Sequence, residues 1–118
     1  MITIEVSGVE EALRRLGNLR DRLELAVFGV LMDSAGVLTE EAKAYAPIHT
    51  GNLRRSIQIT EANKPEMKIV VSAQAPYSGF VEWGSSKMAA QPFMQPAASH
   101  AAAELPRRVA DKIRETTT

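Results

Sequence analysis

Ala46-Pro47-Ile48-His49-Thr50-Gly51-Asn52-Leu53-Arg54-Arg55-Ser56-Ile57 divides the 118-residue chain into a helical half and a mixed half. Pro47 ends any helix that reaches it, because proline pushes the preceding residue out of the α region. Thr50-Gly51 then marks a turn, after which Leu53, Ser56, Ile57 and Ile59 begin an extended run.

Upstream of Pro47, apolar positions recur at steps of three and four: Val9, Leu13, Leu16, Leu19, Leu23, Val27, Val30 or Leu31, Ser34, Leu38, Ala42 and Tyr45. That spacing predicts helix. Gly17-Asn18 breaks it into a short helix and a longer one over 19–45, ~40 Å long at 1.5 Å per residue. The middle of the long helix, Ala26 to Leu38, is apolar nearly all round, which predicts burial on more than one side. Gly29, Ser34, Ala35 and Gly36 leave room there for another backbone to approach. Before the helices, Ile2 to Val6 alternates as a half-buried strand, and Ser7 is placed to cap the first helix with Glu10 as its capping-box partner.

Downstream, Met67, Ile69, Val71 and Ala73 alternate as a second strand, joined to the first by a turn at Ala62-Asn63-Lys64-Pro65. Tyr77 to Trp83 reads as one helical turn or an irregular crossing. Residues 84–92 read as a mobile loop of small residues and methionine, ending at Pro92. A last helix is predicted from Phe93 to Arg114, with Pro96 in its first turn, a kink or restart at Pro106, and fraying threonines at its end.

Composition narrows the function. The length suits one domain, with 45% hydrophobic and 24% charged residues. No apolar run approaches the roughly 18 residues of a membrane span, and the first residues lack the pattern of a secretory signal. Fourteen basic residues balance 14 acidic ones, so no overall field draws the chain to nucleic acid. The absence of cysteine removes disulfides, thiol catalysis and cysteine-held zinc.

The polar residues offer little chemistry. His49 and His100, the only histidines, read as a turn residue and a helix-surface residue, and a metal site would need both of them plus distant carboxylates. Ser56 or Ser78 with His49 and Asp33 makes a triad on paper only, because neither serine sits in a nucleophile elbow. Gly79 and Gly84 lack the spacing of a phosphate loop. No enzyme activity and no cofactor are expected. Glu82 reads either as a surface charge or as a partner of Arg54, Arg55 or backbone donors that fixes the loop after it. Met88, Phe93 and Met94 read as core plugs or interface contacts. Arg54 and Arg55 read as a solvated strand edge in one copy, and as a belt of positive charge where many copies form a ring.

Three segments taken in order, APIHTGNLRRSI (46–57), YSGFVEWGS (77–85) and QPFMQPA (91–97), resemble the neck and tail-completion proteins of long-tailed bacteriophages and prophages. The similarity covers roughly residues 8–115. The first block carries Ala46, Pro47, Thr50, Gly51, Leu53, Ser56 and Ile57; the second Tyr77, Phe80, Val81, Glu82, Gly84 and Ser85; the third Pro92, Phe93, Met94, Pro96 and Ala97.

The resemblance implies a non-enzymatic virion component, made in the host cytoplasm, that assembles as a ring of six or twelve subunits at the head-to-tail junction. Its implied partners are further copies of itself, other neck and tail proteins, and DNA that passes through the channel without sequence-specific binding; no membrane is involved. The expected architecture is α+β, with a long N-terminal helix and a C-terminal helix packed on a small antiparallel sheet. The expected subunit or partner interface is Tyr77, Phe80, Glu82, Trp83, Met88, Phe93 and Met94, with Arg54 and Arg55 facing the DNA channel. The competing expectation is a small DNA-binding regulator using Arg54, Arg55, Arg107 and Arg108; a small hydrolase ranks third.

Overall fold

The helical periodicity before Pro47 becomes helix α2, Arg20–Tyr45, around which the other elements are arranged. The computed structural model describes residues 1–47 and 51–117, so Ile48, His49 and Thr50 of the opening segment lie outside the described residues. The broad buried arc of α2 includes Leu23, Val27, Leu31, Ala35, Leu38 and Ala42. The C-terminal helix α5, Met94–Thr117, and strands β2, Ile57–Asn63, and β3, Lys68–Ala73, all pack against α2. This is the two-sided burial expected of so apolar a helix. Ser34 and Ala35 face inward, whereas Leu25, Gly29 and Met32 face solvent.

The elements before α2 follow the sequence closely, with one correction. Strand β1 is Ile2–Val6, with Ile2 and Val6 buried; helix α1 is Glu10–Arg14, and a 3-10 turn at Gly17–Leu19 supplies the expected break. Ser7 does not cap α1. Gly8 takes φ 96°, the helix starts from Val9 with no side-chain cap, and the Glu10 carboxylate accepts from Arg20 at 3.0 Å. Glu10 is thus drawn to the start of α2.

After Pro47 the structure departs from the predicted extended run. Asn52–Ser56 forms one helical turn, α3, entered through Gly51 in the left-handed region at φ 81°, and β2 begins only at Ile57. Two features explain the turn. Leu53 is buried against the core, and the Arg54 guanidinium donates from Nε to the Lys43 carbonyl at 3.1 Å. Lys43 lies four residues before Pro47, so its carbonyl has no helical N–H to accept from. Arg54 satisfies the acceptor that Pro47 leaves open.

Strand β3 is the centre of a three-stranded sheet in the order β1-β3-β2, antiparallel on both sides. Ile69, Val71 and Ala73 alternate onto the helices, and Ile4 and Ile59 both pair with Val71. Thr60 forms a bulge in β2, and its hydroxyl meets that of Ser72 at 2.8 Å. The hairpin turn lies at 64–67, later than predicted. The Asn63 side chain accepts from the Glu66 N–H, and Met67 closes the turn at φ 51° with its side chain buried.

Helix α4, Ser78–Trp83, is the predicted single turn. Its Glu82 is 4% exposed and accepts the N–H groups of Phe93 at 3.1 Å, Met94 at 2.8 Å and Gln95 at 3.1 Å. These are the donors that the start of a helix leaves without partners, and Pro96, the third residue of α5, has no N–H to satisfy. The carboxylate also sits at the positive end of the helix dipole. Of the two readings of Glu82, the surface charge is excluded and the binding of backbone donors holds. From this anchor α5 runs unbroken through Pro106, which lies on its exposed side, so no restart occurs. It continues to Thr117, where threonine hydroxyls donate back to the carbonyls of Lys112 and Ile113.

Replacing Glu82 with alanine strands three buried N–H groups and is expected to cost about 2–4 kcal/mol in denaturant unfolding. Glu82→Gln, which keeps one acceptor oxygen, should lose roughly half of that; an unshifted midpoint for Glu82→Ala would contradict the capping role. Arg54→Ala should cost about 1–2 kcal/mol through the Lys43 carbonyl. Arg55→Ala should stay within about 0.5 kcal/mol, so equal losses at the two arginines would refute the assignment.

Candidate docking surface

The three sequence blocks converge on one apolar recess of about 240 Å³. Pro47, Gly51 and Leu53 line it from the first block, Tyr77, Phe80 and Val81 from the second, and Gln91 from the third, with Met88 contributed by the intervening loop. Each wall is held by an interaction already described. Leu53 is placed by α3 and its Arg54 anchor, and α4 is fixed through Glu82.

Helix α4 divides its side chains between inside and outside. Ser78 and Glu82 are buried; Phe80 is 61% exposed and Trp83 71% exposed, three residues apart and on the outer face. Tyr77 and Met88 are exposed beside them. Four of the six aromatic side chains of the protein, Tyr45, Tyr77, Phe80 and Trp83, are exposed. Large aromatics contribute most when buried, so the exposed group on and beside α4 is the candidate docking surface.

The loop after α4 contains a hydrogen-bonded turn. Ser85 N donates to Met88 O at 2.8 Å, and Gln91 N returns to Val81 O at 2.8 Å. Gly84 is required at its base: φ is 81°, and an added Cβ would lie 2.8 Å from the Ala90 nitrogen. The turn holds Met88 at the recess. Between Lys68 and Glu104 the only acidic or basic residues besides His100 are Glu82 and Lys87, and Glu82 is buried. Lys87 is therefore the one exposed charge that the second and third blocks and their loop bring near the recess, while the Arg55 guanidinium lies beside Gly51 on the first-block wall.

Several expected site residues lie elsewhere. Phe93 and Met94 are completely buried within the chain and plug its core, and Glu82 is interior as well. Arg54 is half-buried and bonded to Lys43 O; Arg55 is exposed on α3 with its guanidinium on the Asn52 side chain. Neither arginine lies on a strand edge. The hydroxyls of both candidate serines donate to carbonyls, Ser56 to Leu53 at 2.7 Å and Ser78 to Ala75 at 2.6 Å. His100 pairs across the helices with Glu41 at 2.7 Å. Among the described residues no cluster of three or more histidines and carboxylates is arranged to hold a metal, and no helix is long and apolar enough to cross a membrane.

Sequence reasoning missed Pro47, Gly51, Leu53, Val81 and Gln91 as recess residues. Their signal was present, because all but Gln91 are motif positions of the first two blocks.

Residues 10–84 match the protein family described as "Bacteriophage HK97-gp10, putative tail-component". The match takes in the first block and all of the second but Ser85, and ends before QPFMQPA. No curated protein and no solved structure matches the chain. With more than half of its length matched, including two walls of the recess, the chain belongs to the HK97-gp10-like family of phage tail components.

Proposed function

We propose that this tail component joins head to tail as a ring-forming virion protein, and that it docks a neighbouring subunit or neck protein through the aromatic recess. The observation that carries this reading is the convergence of three sequence blocks on an apolar recess lined by the exposed Tyr77, Phe80 and Met88, with Trp83 exposed three residues further along α4. Rim aromatics around a pocket are the usual anchors of protein interfaces. A subunit of a ring needs such a surface because it completes its apolar burial on assembly.

In this reading the protein performs no catalysis and binds no cofactor, and the candidate serines have the structural role of satisfying carbonyls. DNA passes through the ring without sequence-specific contact, consistent with zero net charge. Arg54 is committed to Lys43, so Arg55 alone is assigned to the channel side. The rival DNA-binding regulator is disfavoured by the same pairing. It is disfavoured further by Arg107, whose guanidinium bonds to Glu104 and holds that carboxyl below its ordinary range.

Mass photometry and electron microscopy of the chain, alone at high concentration and with the other neck proteins, test the assignment. Wild type should form rings or join those proteins; a strict monomer that never joins them would overturn it. Phe80→Ala with Trp83→Ala should weaken that association tenfold or more while leaving the unfolding midpoint nearly unchanged, because both side chains are exposed.

A further inference from the structure

We propose that the outward face of α2 pairs two copies of this chain antiparallel, about a two-fold axis passing between Val30 and Leu31. This contact is separate from the aromatic recess. Leu25, Gly29, Met32 and Gly36 follow one another at steps of four, three and four, which puts them on one face of α2. Leu25 is 69% exposed and Met32 is also exposed. Around Gly29 and Gly36 nothing lies within 4 Å of where a Cβ would be.

The two glycines have no use within one copy. Glycine weakens a helix interior relative to alanine, and no neighbouring element of the same chain approaches closely enough to need its smallness. A helix docking from outside would need it.

The order of large and small residues identifies that helix. When α2 is laid antiparallel on a second α2, Leu25 falls opposite Gly36, Gly29 opposite Met32, Met32 opposite Gly29 and Gly36 opposite Leu25. Every large side chain meets a glycine, and the match is its own mirror under the two-fold, as an isologous contact requires. A parallel alignment in register would set leucine on leucine and glycine on glycine. The antiparallel alignment also places Arg22 of each copy beside Glu40 of the other on the same edge. Both side chains are exposed, and among the described residues Glu40 is paired only with Lys43, at 4.0 Å. Opposite charges therefore meet twice.

A two-fold contact closes on itself and does not propagate, so it gives pairs. The ridge from Leu25 to Gly36 shares no residue with the recess, so a pair leaves both recesses uncovered. One helix face falls at the small end of protein interfaces, below ~1,200 Å², which makes the pairing weak and concentration-dependent.

The absence of cysteine permits a direct test. In the Phe80→Ala, Trp83→Ala background, which removes the recess contact, sedimentation at rising concentration should show dimers. A background that stays monomeric overturns the α2 pairing and leaves the recess reading intact; one that still forms rings overturns the recess reading, and the α2 pairing is then decided by cross-linking. Under mild oxidation, Leu25→Cys mixed with Gly36→Cys should give a mixed disulfide in severalfold excess over either like pair, since only opposed positions bring Cα atoms within disulfide reach. Like pairs in equal or greater yield overturn the register. Gly29→Ala with Gly36→Ala should raise the unfolding temperature of the dilute chain by several degrees and weaken dimerisation tenfold or more. A general loss of folding would move both readouts downward, so these opposite signs isolate the contact; unchanged dimerisation overturns it.

Discussion

Everything distinctive about this molecule depends on one buried carboxylate. Glu82 takes the three leading N–H groups of α5 and so fixes where the 24-residue C-terminal helix begins. A carboxylate is costly to bury alone, but three donors and the helix dipole offset that cost. Because Glu82 itself lies on α4, the bond also fixes α4 against the end of α5. The outward direction of Phe80 and Trp83 is the geometric consequence.

The first sequence block follows a similar rule of satisfied backbone groups. Pro47 stops α2 and, having no N–H, leaves the Lys43 carbonyl without a helical donor; Arg54 arrives from α3 to supply one. Proline and arginine are thus two parts of one device, seven positions apart in sequence. It holds Leu53 in the core beneath the recess, while Gly51 provides the left-handed turn that α3 needs at its start. The first block is therefore a joint, and the recess wall is what the joint positions.

Long periodic patterns were legible in the sequence, and short elements fixed by tertiary partners were not. The helix over 19–45, the β1 alternation and the α+β architecture follow from local spacing, and the helix and strand appear within a residue of their expected bounds. Helix α3 was read as strand because Ile57 and Ile59 alternate and the single turn between Gly51 and Ile57 is too short for its i, i+3, i+4 spacing at Leu53, Ser56 and Ile57 to stand out; it forms because Arg54 finds a carbonyl on another helix. Ser7 had the right spacing for a cap, but Gly8 turned the chain and Arg20 held Glu10. For the recess, sequence supplied the blocks without their convergence. Phe93 and Met94 sat next to a loop and read equally well as surface, until the Glu82 bond drew their backbone inward.

The division of labour along α4 explains how a small protein tolerates so many exposed aromatics. Stability resides in Ser78 and Glu82, which satisfy backbone groups, and in Val81, which packs against the core. Docking is assigned to Tyr77, Phe80 and Trp83, whose exposed side chains leave the fold largely independent of them. The two sets alternate within a single turn of helix, so surface chemistry can change without disturbing the cap. The same logic applies to α2, where one face is saturated by α5 and the sheet and the other carries glycines for which the fold of a single copy has no requirement. In both helices, the residues without a stabilising task inside the monomer are the ones that face a prospective partner.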